Sequence, residues 1–250
     1  MKTIEISQGI WQINEAGTVD AYLLVGAKRA LLVDALHQEK GLYAQLRKIT
    51  RLPVDVVITH GHSDHAGASV KELRDNGCIL YMDRRDIPIL KDMVGDGIEA
   101  EWFTDISGGA IFDLGGFTLE VISVPGHTPG SLVLLEREKQ IMFTGDTIGS
   151  GNFWMQLPHS LDLAVFLSNL DRLWAQLDKM DSLIIYPGHR NQSPIDLNLQ
   201  YVEDTHTITK RLVSGEWAGK YGEMDYLGMH MKFMEISYGL MRSYLYASKV

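Results

Sequence analysis

Among 250 residues there is a single cysteine, Cys78. One thiol can close no internal disulfide, so the chain is no disulfide scaffold and needs no oxidising compartment. Basic charge is also scarce. Lys and Arg number 23 against 32 Asp and Glu, a net charge of −9 with histidine neutral. That balance argues against a nucleic-acid binder with a broad basic face, though not against a small positive pocket around bound metal ions. No apolar run approaches the length of a membrane span. Met1-Lys2-Thr3-Ile4-Glu5-Ile6 lacks the apolar core of a signal peptide. The expectation is a cytoplasmic protein with no membrane or nucleic-acid partner. There is also no repeat of fixed period. The length suits one large domain, residues 1–250, able to bury a sizeable core without staples.

The hydrophobic pattern predicts short strands over the first 60 residues. Ile4-Glu5-Ile6 and Ile10-Trp11-Gln12-Ile13 alternate, and Gly26-Ala27-Lys28-Arg29 separates two apolar runs as a hairpin turn would. Helical spacing follows over residues 42–49, 65–74, 161–177 and 194–213, with further strands near 78–81, 117–122, 131–135, 140–143 and 182–186. Cys78 reads as a small apolar residue opening one of these strands. Residues 83–109 carry four glycines and no clear period, and read as an irregular, partly helical connection. Strands and helices alternating in this way suit two sheets packed together with helices outside.

Histidine is where the sequence concentrates. Three of its nine histidines fall in one hexapeptide, His60-Gly61-His62-Ser63-Asp64-His65, directly after the strand-like Val54-Asp55-Val56-Val57-Ile58-Thr59. Three imidazoles and a carboxylate packed this closely would repel one another if charged and waste polar groups if buried unpaired. Neutral imidazole and ionised carboxylate are the usual ligands of zinc and similar ions, so the hexapeptide points to a metal site. Later strands end similarly, in Pro125-Gly126-His127-Thr128-Pro129-Gly130, Thr144-Gly145-Asp146-Thr147 and Pro187-Gly188-His189. Each places a Gly directly before the His or Asp, and Gly permits the close backbone approach that a crowded site needs. Any one of these is an ordinary turn. Together they supply enough donors for two divalent ions sharing a carboxylate.

The order and spacing of these motifs over about residues 3–200 resemble the metallo-β-lactamase superfamily, with Asp34 at a further acidic position of that family. The resemblance implies an α+β, αββα four-layer sandwich of two mixed sheets flanked by helices. It implies that His60, His62 and His127 hold one metal, that Asp64, His65 and His189 hold the second, and that Asp146 bridges them. Asp34 would orient a ligand imidazole. The hydroxyls of Thr59 and Thr128 would do the same or serve only in turns. The implied cofactors are two divalent ions, zinc by default, with manganese or iron accepting the same ligands. The implied reaction is hydrolysis of a small ester, thioester, lactone or phosphoester by a hydroxide shared between the ions, with Asp64 as catalytic proton shuttle.

Branches of the family differ in detail. One large β-lactamase subclass places a Cys where this chain has Asp146, which points away from β-lactams. Glyoxalase II shares all seven ligands but follows Gly-Asp-Thr with a Cys-Gly-Arg-type segment, where this chain reads Ile148-Gly149-Ser150-Gly151-Asn152-Phe153-Trp154-Met155. That departure points away from glutathione thioesters. The homoserine lactonases share the ligands too, while a ribonuclease Z-like role lacks its basic exosite. The persulfide dioxygenases, with a single iron, are the alternative from another reaction class. Asn152-Phe153-Trp154-Met155 and Trp102-Phe103 are candidates for the pocket wall or for core packing. His37 is expected near the site, and His159 and His206 as ordinary polar residues. The Met- and Tyr-rich stretch 221–250, with His230, suits a pocket cap, a homodimer contact or core packing.

Overall fold

The computed structural model describes residues 1–37, 40–95, 97–149, 152–193, 195–216, 219–226 and 228–246. Its first sheet has seven strands in chain order: β1 (Lys2–Ser7), β2 (Ile10–Glu15), β3 (Val19–Val25), β4 (Ala30–Val33), β5 (Val54–Val57), β6 (Ile79–Met82) and β7 (Phe103–Asp105). The first four pair antiparallel; β4 to β7 pair parallel. Parallel neighbours need crossovers, and helices α1 (Leu42–Ile49), α2 (Ser69–Asp75) and α3 (Ile87–Val94) lie between them in sequence.

The second sheet holds β8 (Ile111–Asp113), β9 (Thr118–Ser123), β10 (Leu132–Glu136) and β11 (Ile141–Gly145). The chain then leaves through β12 (Asn152–Trp154) and helix α4 (Leu163–Leu177), and returns as β13 (Ile184–Pro187) parallel to β11, followed by β14 (Leu197–Asn198) and helix α5 (Leu199–Val213). Both sheets are therefore mixed, and the α+β sandwich expected from the sequence is what forms.

Strand β4 shows why the layers form. All four residues of Ala30-Leu31-Leu32-Val33 are buried. Leu31 and Val33 point into the core between the sheets with Leu132, Leu134 and Phe143, while Ala30 and Leu32 join Leu42, Leu46, Val70 and Leu90 of the three helices. Strand β10 divides likewise, with Val133 and Leu135 facing Phe166, Leu170 and Tyr201 of α4 and α5. A strand covered on both faces reads as a continuous apolar run. Among the described residues no helix is long and apolar enough to cross a membrane.

Some segments differ from expectation. The helix expected from residue 65 begins at Ser69. Gly67 lies so close to the carbonyl of His37 that a Cβ there would sit 1.4 Å from its oxygen, and the chain at 62–68 is held as a tight turn that aims His65 inward. Residues 83–109 are partly helical as expected, the helical part being α3 with Pro88 in its first turn. Trp102 and Phe103 pack on the outer core of the first sheet, the second of the two roles expected of them. The tail is β-structure: β15 (Lys220–Tyr226), β16 (Met229–Tyr238) and β17 (Met241–Tyr246) form a meander whose last strand pairs parallel with β12. Met234 and Ile236 pack with Tyr201 and Ile208 of α5 in the outer core of the second sheet. Residues 247–250 of the Met- and Tyr-rich stretch lie outside the described residues.

Candidate metal centre

Strands β4, β5, β9, β11 and β13 all hand their carboxyl ends to one edge of the sandwich. Asp34 follows β4, the hexapeptide follows β5, His127 follows β9, Asp146 follows β11 and His189 follows β13. The two sheets are tied there by the Leu132 amide donating to the Thr59 carbonyl at 2.9 Å.

Two sets of donors converge. In the first, His60 Nε2 lies 3.1 Å from His62 Nδ1, and His127 Nε2 lies 3.0 Å from the same atom. In the second, His189 Nε2 lies 3.2 Å and His65 Nε2 3.7 Å from Asp64 Oδ2. Asp146 stands between them: Oδ1 is 3.4 Å from His65 Nε2, and Oδ2 is 3.3 Å from His189 Nε2 and 3.8 Å from His127 Nε2. Donor atoms 2.0–2.1 Å from a tetrahedral ion stand roughly 3.3 Å apart, which is the separation seen here. Gly188 is required by this crowding, since a Cβ on it would sit 2.3 Å from His65 Cε1 and 2.8 Å from Asp146 Oδ1.

The far side of each ring tests whether these residues suit a metal. A ligating imidazole usually donates its other N–H to a fixed acceptor. His65 Nδ1 donates to Asp34 Oδ2 at 2.8 Å, His127 Nδ1 to the Trp154 carbonyl at 2.7 Å, and His189 Nδ1 to the Thr18 carbonyl at 2.7 Å. The Thr59 hydroxyl donates to Asp34 Oδ2 at 2.9 Å, so its oxygen accepts from His60 Nδ1 at 3.1 Å. In each case the outer nitrogen donates its proton away from the cluster and the inner nitrogen faces it. Further, His65 Nε2 and Asp146 Oδ1 are buried without a protein hydrogen bond. The donor set fits divalent ions.

Electrostatics agree. Burial, reinforced by His127, holds the His62 imidazole down to about 3. Burial with its histidine neighbours lowers His60 well below its ordinary value, and burial lowers His127. This set is neutral, the form that binds metal. In the second set burial also opposes charge but is outweighed. Asp64, Asp146 and Asp34 raise His65, while Asp146 and Asp64 push His189 up to about 12. Those imidazoles in turn hold Asp146 and Asp64 below the usual carboxylate range against burial. Two ionised carboxylates thus draw positive charge to the inner nitrogens of His65 and His189, a demand that a divalent ion would meet in place of a proton.

Two acidic residues that the sequence reading passed over support the ligand loops. Asp86, fully buried, accepts the Gly61 amide at 2.8 Å and the Thr128 hydroxyl at 2.5 Å on Oδ2, and the Gly130 amide at 2.5 Å on Oδ1. Burial raises its carboxyl, while these three donors pull it back. Asp20 accepts from Gln12, Asn14 and the Arg190 amide, and its own amide donates to the Gly188 carbonyl, which fixes the His189 turn. Only their surroundings in space reveal either role. Thr128 therefore acts on a loop through Asp86, and Thr59 on a ligand directly.

A cavity of about 610 Å³ opens over the cluster, reached by His62, Asp64, His127, Asp146 and His189. Trp154, Leu157 and Met93 form apolar wall, and His37 and His159 also line it. His159 thus belongs to the cavity rather than to ordinary surface. Phe153 and Met155 point instead into the core. His206 pairs with Asp171 at 2.6 Å, and exposed His230 with Asp225 at 2.9 Å; neither lines the cavity.

A sandwich that gathers five histidines and two aspartates at its strand ends in this order defines a class. Residues 14–189 match the family model of the metallo-beta-lactamase superfamily, and the chain belongs to that superfamily. It is 26% identical over 180 residues to the hydroxyacylglutathione hydrolase GloC of Haemophilus influenzae, covering 67% of this chain and 83% of that protein. To a hydroxyacylglutathione hydrolase of Anaeromyxobacter dehalogenans it is 34% identical over 179 residues, covering 69% and 62% respectively. Its fold resembles the solved metallo-beta-lactamase of Pontibacter korlensis, with a TM-score of 0.63 at 19% identity over 84% of this chain and 98% of that one.

Proposed function

We propose that this protein is a hydrolase that holds two divalent ions, zinc by default, and cleaves a small ester, thioester, lactone or phosphoester. His60, His62 and His127 would hold one ion, Asp64, His65 and His189 the other, with Asp146 shared. The observation that carries this reading is the position of Asp146, whose two oxygens face donors of both sets at 3.3–3.8 Å. Ions bound there would lower the pKa of a water toward neutrality and polarise the substrate's carbonyl or phosphoryl oxygen.

The residues supply the rest. Asp64 reaches the cavity with Oδ2 beside His189, where it can take a proton from water and return it to the leaving oxygen or sulfur. Trp154 serves twice: its carbonyl fixes the His127 ring while its side chain lines the cavity. The names of the two relatives add support for hydrolysis of an acyl bond. Elemental analysis of protein purified without added metal tests the proposal, followed by turnover of thioesters, lactones and phosphodiesters. About two zinc or manganese per chain with hydrolysis is the expected result. A single iron per chain, with oxygen consumed on thiol or persulfide substrates, would overturn it in favour of a dioxygenase.

A further inference from the structure

The wall of the cavity carries no lysine or arginine among the described residues. This runs deep in the sequence. No Lys or Arg occurs at positions 52–70, 92–136 or 140–171, the stretches that carry the hexapeptide, Met93, His127, Asp146, Trp154, Leu157 and His159. Two basic residues beside lining residues, Arg190 next to His189 and Lys91 next to Asp92, have other partners. Arg190 meets Asp196 at 3.0 Å and lies over the Tyr186 ring, and Lys91 faces Glu99 at 4.0 Å. Exposed Asp92 adds a negative charge at the cavity. Of the two imidazoles beyond the ligands, His37 has its Nδ1 bonded to the Ser63 carbonyl. Phosphates and carboxylates are ordinarily recognised by Arg, Lys or clustered backbone amides. The proposed ions' own charge would sit at the cavity floor beside Asp64 and Asp146, so an anionic group on the wall meets no fixed cation and, at Asp92, a like charge that selects against it.

We infer that this site takes an uncharged substrate whose apolar part lies on Met93, Trp154 and Leu157, and that it discriminates against thioesters of anionic carriers such as glutathione and coenzyme A. This rests on the hydrolase reading for the reaction itself but not for binding. The substrate class is thus a neutral acyl ester, thioester or lactone. The inference sets this chain's substrate apart from the hydroxyacylglutathione that two of its relatives are named for.

The test uses the metal-loaded protein and three thioethers that cannot be hydrolysed: the same octyl chain on N-acetylcysteamine, on glutathione and on coenzyme A. Binding is read by calorimetry. The neutral thioether should bind at least about tenfold more tightly than either anionic one, a gap of roughly 1.4 kcal/mol. Leu157→Lys should narrow that gap about threefold or more at unchanged metal content, as a supplied cation would. Met93→Lys, at an exposed position, serves should Leu157→Lys fold poorly. Equal or tighter binding of the anionic thioethers, or a gap indifferent to a lysine that folds and keeps its metal, overturns the inference. Turnover of the matching thioesters is measured separately. Tight neutral binding with no hydrolysis of any thioester or lactone would sink the hydrolase reading and leave the substrate preference standing.

Discussion

The carboxylate of Asp86 receives the hydroxyl of Thr128 at 2.5 Å in a fully buried position between two ligand loops. The same oxygen takes the Gly61 amide, and the other takes the Gly130 amide. One side chain from the start of α3 thus fixes the spacing between the His60–His62 loop and the His127 loop, though it touches no ligand ring.

Asp86→Asn keeps the shape but turns an NH2 toward at least one N–H or O–H donor. A buried donor left unpaired costs about 1–3 kcal/mol, and disturbing the supports of metal ligands typically costs about 10–100-fold in metal affinity. Both losses are expected together, read by thermal unfolding and by competition with a metal indicator. Wild-type affinity in a variant of lowered stability would show that Asp86 only packs the fold.

Asp34 has a backbone φ of +64°, in the left-handed region that Asn and Asp tolerate best. Asp34→Asn should therefore keep the backbone. With Oδ1 still serving the Thr59 amide, the amide nitrogen would replace the oxygen that accepts from His65 Nδ1 and from the Thr59 hydroxyl. His65 would then favour the tautomer with its proton on Nε2, facing the cluster. Metal affinity should fall about 10–100-fold while the unfolding midpoint of the metal-free protein moves little. Ring-nitrogen shifts by NMR report the tautomer directly, and an unchanged pattern would refute this account.

What the sequence reveals follows from how local each role is. His60, His62, Asp64 and His65 are readable because a single turn after β5 holds them all. His127, Asp146 and His189 are readable because each caps its own apolar run. Asp86 and Asp20 are opaque, for the ligand loops they hold lie 25–44 residues and about 170 residues away along the chain. The tail hides for another reason. Buried Met231, Met234 and Ile236 break strict alternation, so β16 lacks the period-two signature of a strand with one buried face. Trp154 was visible as an aromatic near Asp146, but its carbonyl bond to His127 depends on the pairing of β12 with β17, which no local pattern announces.

Cys78, the sole thiol, offers a clean measure of core tightness. Burial pushes it up to about 11, whereas a thiol in an unfolded chain titrates near about 8.5. A folded value above the unfolded one means that this contribution to stability is complete below pH of about 8.5 and is lost as pH rises toward about 11. At pH 8 the folded thiol should react with iodoacetamide about 200-fold more slowly than in denaturant. A fast reaction in the folded protein would contradict burial of Cys78 against Leu73 and its neighbours.

The sharing of Asp146 yields the strongest prediction, because two independent sites would respond differently. Two separate centres would lose one ion each time one ligand is removed, and the other would remain filled. A shared carboxylate couples them. Asp146→Ala removes a donor from both sets and also the charge that helps raise His65 and His189. Metal content should fall for both ions, and turnover by more than the ~100-fold that altering an outer support can cost. Stability should follow the metal. Ligands bound only by the folded state at about 1,000 times their Kd add ~4 kcal/mol, which for a chain of this size corresponds to roughly 10 °C in Tm. Chelation of the wild type should therefore lower Tm by about that amount, and chelation of Asp146→Ala by much less. A variant that keeps full activity without metal, or that loses one ion and holds the other at wild-type affinity, would exclude a shared carboxylate.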